Sequence, residues 1–79
     1  MHTPQVVLYT RDGCHLCEHA QQVLESHGLR PTLVDIDADP NLFARYGTCV
    51  PVVKIDGKER FRGNVNPTLL KRLLRGLAR

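Results

Sequence analysis

Val6-Val7-Leu8-Tyr9-Thr10-Arg11-Asp12-Gly13-Cys14-His15-Leu16-Cys17 reads as a strand, a turn and a helix start, and that order decides the fold. Val6 to Tyr9 is a continuous apolar run rich in β-branched side chains, short enough for a central strand covered on both faces. Thr10-Arg11-Asp12-Gly13 breaks the run. From Cys14 onward Leu16, Cys17, Ala20, Val23, Leu24 and His27 recur at three and four, the helical period, so a helix starts at the C-x-x-C. Gly28 is placed as its C′ residue and Pro31 prevents continuation.

Working outward, Thr32-Leu33-Val34-Asp35-Ile36 is a second strand, and its link to the first through a helix makes a right-handed, parallel βαβ unit. Asp39 and Pro40 supply an N-cap and an N1 proline for a short helix carrying Leu42, Phe43 and Tyr46, closed by Gly47. Val50 to Ile55 is a third strand with Pro51 at its start, where a missing N–H does least harm. Asp56-Gly57 is a hairpin signal, so Glu59 to Arg62 returns antiparallel as an edge strand. Asn66 and Pro67 open a last helix lined by Leu69, Leu70, Leu73, Leu74 and Leu77, with Lys71, Arg72, Arg75 and Arg79 on its solvated face. The expected architecture is α/β, ordered βαβαββα, a four-stranded mixed sheet flanked by three helices in a single domain over residues 1–79.

A chain of 79 residues supports one core, and 42% apolar with 24% charged residues excludes a disordered chain. Eleven Lys and Arg against eight Asp and Glu leave +3, too weak a balance to argue for nucleic acid. No run approaches the ~20 apolar residues of a membrane span, and Met1 to Gln5 carries no signal core. The expectation is a soluble cytoplasmic monomer with neither a membrane nor a nucleic-acid partner. Three cysteines are too few and too unevenly placed for a disulfide framework, so they are read as chemistry or as core.

Cys14 and Cys17, at i and i+3, lie on one side of the first helical turn, close enough for a disulfide. Backbone N–H groups and the positive dipole end there favour a thiolate, the form that attacks disulfides. Cys14 is therefore the expected nucleophile, and Cys17, one turn deeper on the apolar face with Leu16 and Ala20, the resolving thiol. Arg11 and a protonated His15 would lower the Cys14 pKa, and Asp12 would raise it.

Cys14-His15-Leu16-Cys17 after Val-Val-Leu-Tyr-Thr-Arg, with Cys49-Val50-Pro51 and Gly63 later, resembles the glutaredoxin branch of the thioredoxin superfamily, and most of all its small members with a C-H-L-C site. The resemblance spans about residues 6 to 77. It implies a thioredoxin-like fold, a cis Val50-Pro51 bond opposite the C-x-x-C, and a Val50 backbone that pairs with substrate. Arg11 falls where glutaredoxins hold the glutathione glycyl carboxylate, and Cys49 where they usually carry Thr. The family's Gly-Gly pair followed by Asp is replaced by Arg62-Gly63-Asn64-Val65-Asn66, so one glycine and the acid are missing. Asn66 can still hydrogen-bond glutathione, or act only as a helix N-cap.

The expected substrate-contact residues are thus Arg11, His15, Cys49, Val50, Pro51, Gly63 and Asn66, around catalytic Cys14 and Cys17, with no metal. Cys49 reads as a third redox thiol, a metal ligand or apolar filler bordering the site. His2, His19 and His27 read as surface or helix-face residues. The leading function is a thiol-disulfide oxidoreductase reducing protein or glutathione mixed disulfides, with no bound cofactor, glutathione as co-substrate, and thioredoxin reductase as the other candidate electron donor. The alternative is a zinc or copper module using Cys14, Cys17 and Cys49, although structural zinc commonly wants a second C-x-x-C, which is absent.

Overall fold

The computed structural model of the chain describes residues 4–47 and 49–77; His2 and Arg79 lie outside the described residues. Its elements are β1 (Val6–Thr10), α1 (His15–Ser26), β2 (Thr32–Asp35), a 3-10 turn (Ile36–Ala38), α2 (Pro40–Tyr46), β3 (Val52–Ile55), β4 (Lys58–Arg62) and α3 (Pro67–Leu77). The sheet order is β2-β1-β3-β4. β1 runs parallel to β2 and antiparallel to β3, and β4 returns antiparallel on the outer edge. This is the βαβαββα order and mixed sheet expected from the sequence, a thioredoxin-like fold.

Local chemistry explains the boundaries. α1 ends in a paired C-terminal motif: the Leu29 N–H donates to the Leu24 carbonyl and the Gly28 N–H to that of Glu25, with Gly28 at φ +79. Asp56 and Gly57 both take positive φ, at 52° and 82°, as the tight hairpin turn requires. On β4 the register passes from Phe61, opposite Val53, to Glu59, opposite Lys54, so Arg60 is an extra residue bulged out of the ladder.

Strand alternation divides the core. Val6, Leu8, Val53 and Ile55 face α1 and α3, meeting Ala20, Val23, Leu24, Val65 and Leu70 in the larger cluster. The other face holds Ile36, Tyr46 and Val52, with Tyr9, Leu42, Cys49 and Val50 packed against them. Four expectations are corrected here. Ile36 leaves the second strand and opens the 3-10 turn, because the Asp35 side chain accepts the Asp37 N–H at 2.9 Å and caps the turn. The third strand begins at Val52, since Val50 and Pro51 are diverted by a cis peptide bond. β1 is fully covered only on the α1 and α3 side; Val7 and Tyr9 are half-buried, because the seven-residue α2 cannot roof the opposite face. Leu16 and Leu69, expected on buried helix faces, are 56% and 50% exposed. Each falls in the first turn of its helix, at the end of the core.

Candidate active site

The turn from β1 into α1 sets the position of Cys14. Its N–H donates to the Arg11 carbonyl at 3.3 Å, with Gly13 between them at φ +74, a conformation that L side chains rarely adopt. Cys14 then takes extended angles as the N-cap of α1, and its Sγ accepts the Cys17 N–H at 3.1 Å. A sulfur in this place receives an N–H that the helix itself cannot satisfy. Cys14 is joined to Cys17 as a disulfide, with Cα atoms 5.2 Å apart. Cys14 is partly exposed, whereas Cys17 is 3% exposed and packed under the helix. The exposed sulfur is the one at the helix terminus, the asymmetry that attack followed by resolution needs.

The register carries the second half of the site to the same end of the sheet. Val52 lies opposite Tyr9, so Val50 and Pro51 fall level with Thr10 and Arg11, where the chain turns toward Cys14. The Val50-Pro51 bond is cis. Pro51 is buried, and its carbonyl accepts the Gly63 N–H at 2.7 Å, which holds the end of β4 against the proline. Gly63 sits at φ +82. On the other side of Cys14 a groove runs between α1 and β2, lined by Gly13, Cys14, Glu18, Gln21, Leu33 and Asp35.

Cys49 lies on the α2 side of the sheet, half-buried against Ile36, Tyr46 and Val52. Its sulfur is a neighbour of the Arg62 guanidinium. Arg62 is bound at both ends of its fork by Glu59, at 3.1 and 2.8 Å, and lies 5.9 Å over the Tyr46 ring. The Glu59 hydrogen bond raises the Arg62 pKa above its ordinary value, and the same bond holds the Glu59 carboxyl below 4.5. Sequence reading missed this pair. Residues three apart on a regular strand point to opposite faces, and only the Arg60 bulge returns Glu59 and Arg62 to one side.

Three residues expected to contact substrate have other engagements. Arg11 Nε lies 3.2 Å from Asp37 Oδ1, its Nη1 donates to the Gly47 carbonyl at 3.2 Å, and the guanidinium lies 5.0 Å over the Phe43 ring. It clamps the end of β1 to α2 and the 3-10 turn. Asn66 Oδ1 accepts the Thr68 and Leu69 N–H groups at 2.9 and 3.2 Å, the cap of α3. His15 stands in solvent, 96% exposed and 3.6 Å from Glu18. His27, by contrast, is half-buried with Nδ1 2.9 Å from the Val23 carbonyl. Among the described residues no three His, Cys, Asp or Glu side chains come together in a way that could hold a metal ion, and no helix is long and apolar enough to cross a membrane.

Known proteins share this fold. An uncharacterised protein of Mycobacterium tuberculosis is 35% identical, the match covering 75% of this chain and 70% of that protein. The X-ray structure of a structural-genomics target from Xanthomonas campestris superposes with a TM-score of 0.78 at 30% identity, over 90% of this chain and 96% of that one. The glutaredoxin-like protein NrdH-redoxin of Escherichia coli has the same fold, with a TM-score of 0.66 at 23% identity over 87% of this chain and 93% of its own. The model of the glutaredoxin-like domain (DUF836) matches residues 5–75, the whole sheet and all of the three helices but the last two residues of α3. With its C-x-x-C capping the first helix of this fold, the chain belongs to the glutaredoxin-like domain family.

Proposed function

We propose that the protein is a thiol-disulfide oxidoreductase that reduces disulfides in protein substrates, with glutathione at best a poor co-substrate. The observation that carries this reading is Cys14 Sγ at the N-cap of α1, partly exposed and accepting the Cys17 N–H, with Cys17 buried behind it. In the reduced protein the Cys14 thiolate attacks one sulfur of the substrate disulfide. The substrate S–S bond breaks, a mixed disulfide with Cys14 forms, and the other substrate sulfur departs as a thiolate that takes a proton from water. Cys17, having released its proton, attacks Cys14 Sγ, forms the intramolecular disulfide and frees the second substrate thiol. Two electrons pass from the dithiol to the substrate. A donor dithiol, through a thioredoxin reductase or an equivalent, returns them. Val50 and Pro51, level with the end of β1, are the proposed platform for the substrate backbone, with Gly63 closing the same edge.

The weak use of glutathione follows from the side chains. Arg11 is committed to Asp37, Gly47 and Phe43, and Asn66 to the cap of α3. A tripeptide with two carboxylates and an ammonium group thus meets an Arg11 already engaged by groups of the protein and, at position 66, a neutral residue that brings no charge for the ammonium end. The test is reduction of insulin disulfides by the wild type and by Cys14→Ser, Cys17→Ser and Cys49→Ser. Cys14→Ser is expected to abolish turnover, Cys17→Ser to accumulate the mixed disulfide by mass, and Cys49→Ser to keep most activity. Full activity in Cys14→Ser sinks the reading. Rapid re-reduction of the oxidised protein by glutathione alone sinks its glutathione clause.

A further inference from the structure

Charge is unevenly divided along this chain. Residues 1–53 carry Arg11, Arg30 and Arg45 against six acids, a net of −3, whereas residues 54–79 carry eight Lys and Arg against Asp56 and Glu59, a net of +6. The fold turns that division into sides. β2, at one edge of the sheet, and α1 bring Asp35, Glu18 and Glu25, while β4 forms the opposite edge, with the Phe61 side chain and α3 packed on the same cluster. On that second side Arg60, Lys71, Arg72 and Arg75 are all exposed, and α3 has no acidic residue. Among the described residues no ion pair holds Lys71, Arg72 or Arg75. Four leucines of α3 serve the core, so the three cations are left over after packing is satisfied.

We infer that the β4 edge and the outer face of α3 form a docking surface for an acidic segment of the protein whose disulfide is reduced. The inference rests on the oxidoreductase reading above and adds a partner chemistry to it. Its physical basis is continuity with the site. β4 ends at Arg62, the next residue Gly63 is hydrogen-bonded to Pro51, and α3 begins a few residues later with Leu69 half exposed at its first turn. A partner seated on this flank therefore meets an apolar contact and the cis-proline platform at one end, with cations along the rest. Charged rims of this kind raise encounter rates and set orientation more than they add affinity. A protein is favoured over nucleic acid because Phe61, the sole aromatic residue of β4 and α3, is packed on the core and cannot stack on bases. A second copy of the chain fits less well, since its acidic edge against this basic flank pairs head to tail and leaves both outer faces open, and the copies carry +3 each.

The experiment uses synthetic peptides with one intramolecular disulfide followed by a run of Glu, of Ser or of Lys. The reading is the ratio of kcat/KM for Glu-tailed to Ser-tailed peptide, with the reduced protein as catalyst. At about 20 mM NaCl the ratio is expected near 10, falling to roughly 2 at about 200 mM as screening shortens the field. Joint replacement Lys71→Glu, Arg72→Glu and Arg75→Glu is expected to bring the low-salt ratio to about 1 or below. The neutral set Lys71→Gln, Arg72→Gln and Arg75→Gln, gentler on the helix end, should bring it part of the way. A wild-type ratio near 1 at both salts, or a ratio that neither set moves, overturns the proposal. So does a single-stranded DNA oligomer that binds α3 more tightly than the Glu-tailed peptide, or a dimer in sedimentation that the substitutions dissolve. Anisotropy of a fluorescent Glu-tailed peptide with its cysteines alkylated reads docking without chemistry. If the Ser-tailed disulfide is not reduced at all, the redox reading fails by itself, and the anisotropy still decides the docking surface.

Discussion

Cys14 owes its surroundings to backbone position: one residue before the helix, its sulfur stands where N–H groups lack partners within the helix, and one turn later the sulfur of Cys17 is shut inside the core. Arg11 shows a different case, in which a residue type that suits an anion is engaged by groups of the protein itself. It bridges Asp37 and the Gly47 carbonyl and covers Phe43, so it stitches the segment before Cys14 to the end of α2. Arg11→Lys keeps the charge but loses the planar fork that reaches both partners. We expect it to cost about 1 kcal/mol, and Arg11→Gln somewhat more, after allowance for the partial exposure of the pair. Thermal melts should show a drop of roughly 5 °C for the first variant. An unchanged melt with a large rise in KM for glutathione would show that Arg11 is a ligand for glutathione and not a clamp.

At the scale of elements, α2 and the β3-β4 hairpin are where small details decide geometry. Gly47 follows α2 with ordinary helical angles, φ −51 and ψ −32, so its lack of a side chain is not about a positive φ. A Cβ there would stand 2.6 Å from the Phe43 carbonyl oxygen. Gly47→Ala should therefore destabilise by about 1–3 kcal/mol by overpacking, visible as a lower urea midpoint with an unchanged slope. The hairpin carries Glu59, whose carboxyl is held below 4.5 by its hydrogen bond from Arg62. A depressed carboxylate pKa contributes stability that is present above the unfolded value and is lost as pH falls through the folded one. The difference in Tm between wild type and Glu59→Gln should accordingly be present at neutral pH and shrink as the pH falls below the ordinary carboxylate range. A difference that persists in acid would mean the glutamine disturbs the bulge by another route.

The whole molecule depends on one well-filled layer. Leu8 is 0% exposed at the centre of the sheet, between Val53 on the neighbouring strand and the α1 and α3 leucines. Leu8→Ala is expected to cost about 2–5 kcal/mol, a large part of the roughly 5–15 kcal/mol that holds a domain folded. Leu33→Ala, at a position 50% exposed on the β2 edge, should cost no more than about 0.5 kcal/mol. Equal losses at the two positions, measured by urea unfolding, would contradict the layer assignment.

Element order, the C-x-x-C at a helix start, the proline-opened helices and the hairpin turn were all legible in the sequence, because each depends on residues within a few positions of one another: Gly28 after Ser26, Pro40 after Asp39, Gly57 after Asp56. Local sterics and caps act at that range and leave a pattern that can be read along the chain. Partnerships across the fold were not legible. That Arg11 would meet Asp37 and Gly47, that Arg60 would bulge and turn Glu59 toward Arg62, and that Cys49 would lie against Tyr46 each depend on strand register and on which elements share a face. A side chain's donors and charge are properties of its residue type, but its partner is whichever group the tertiary packing brings within reach, and only there was it decided that Arg11 meets Asp37 and the Gly47 carbonyl, that Asn66 caps α3, and that Cys14 is partly exposed while Cys17 is buried.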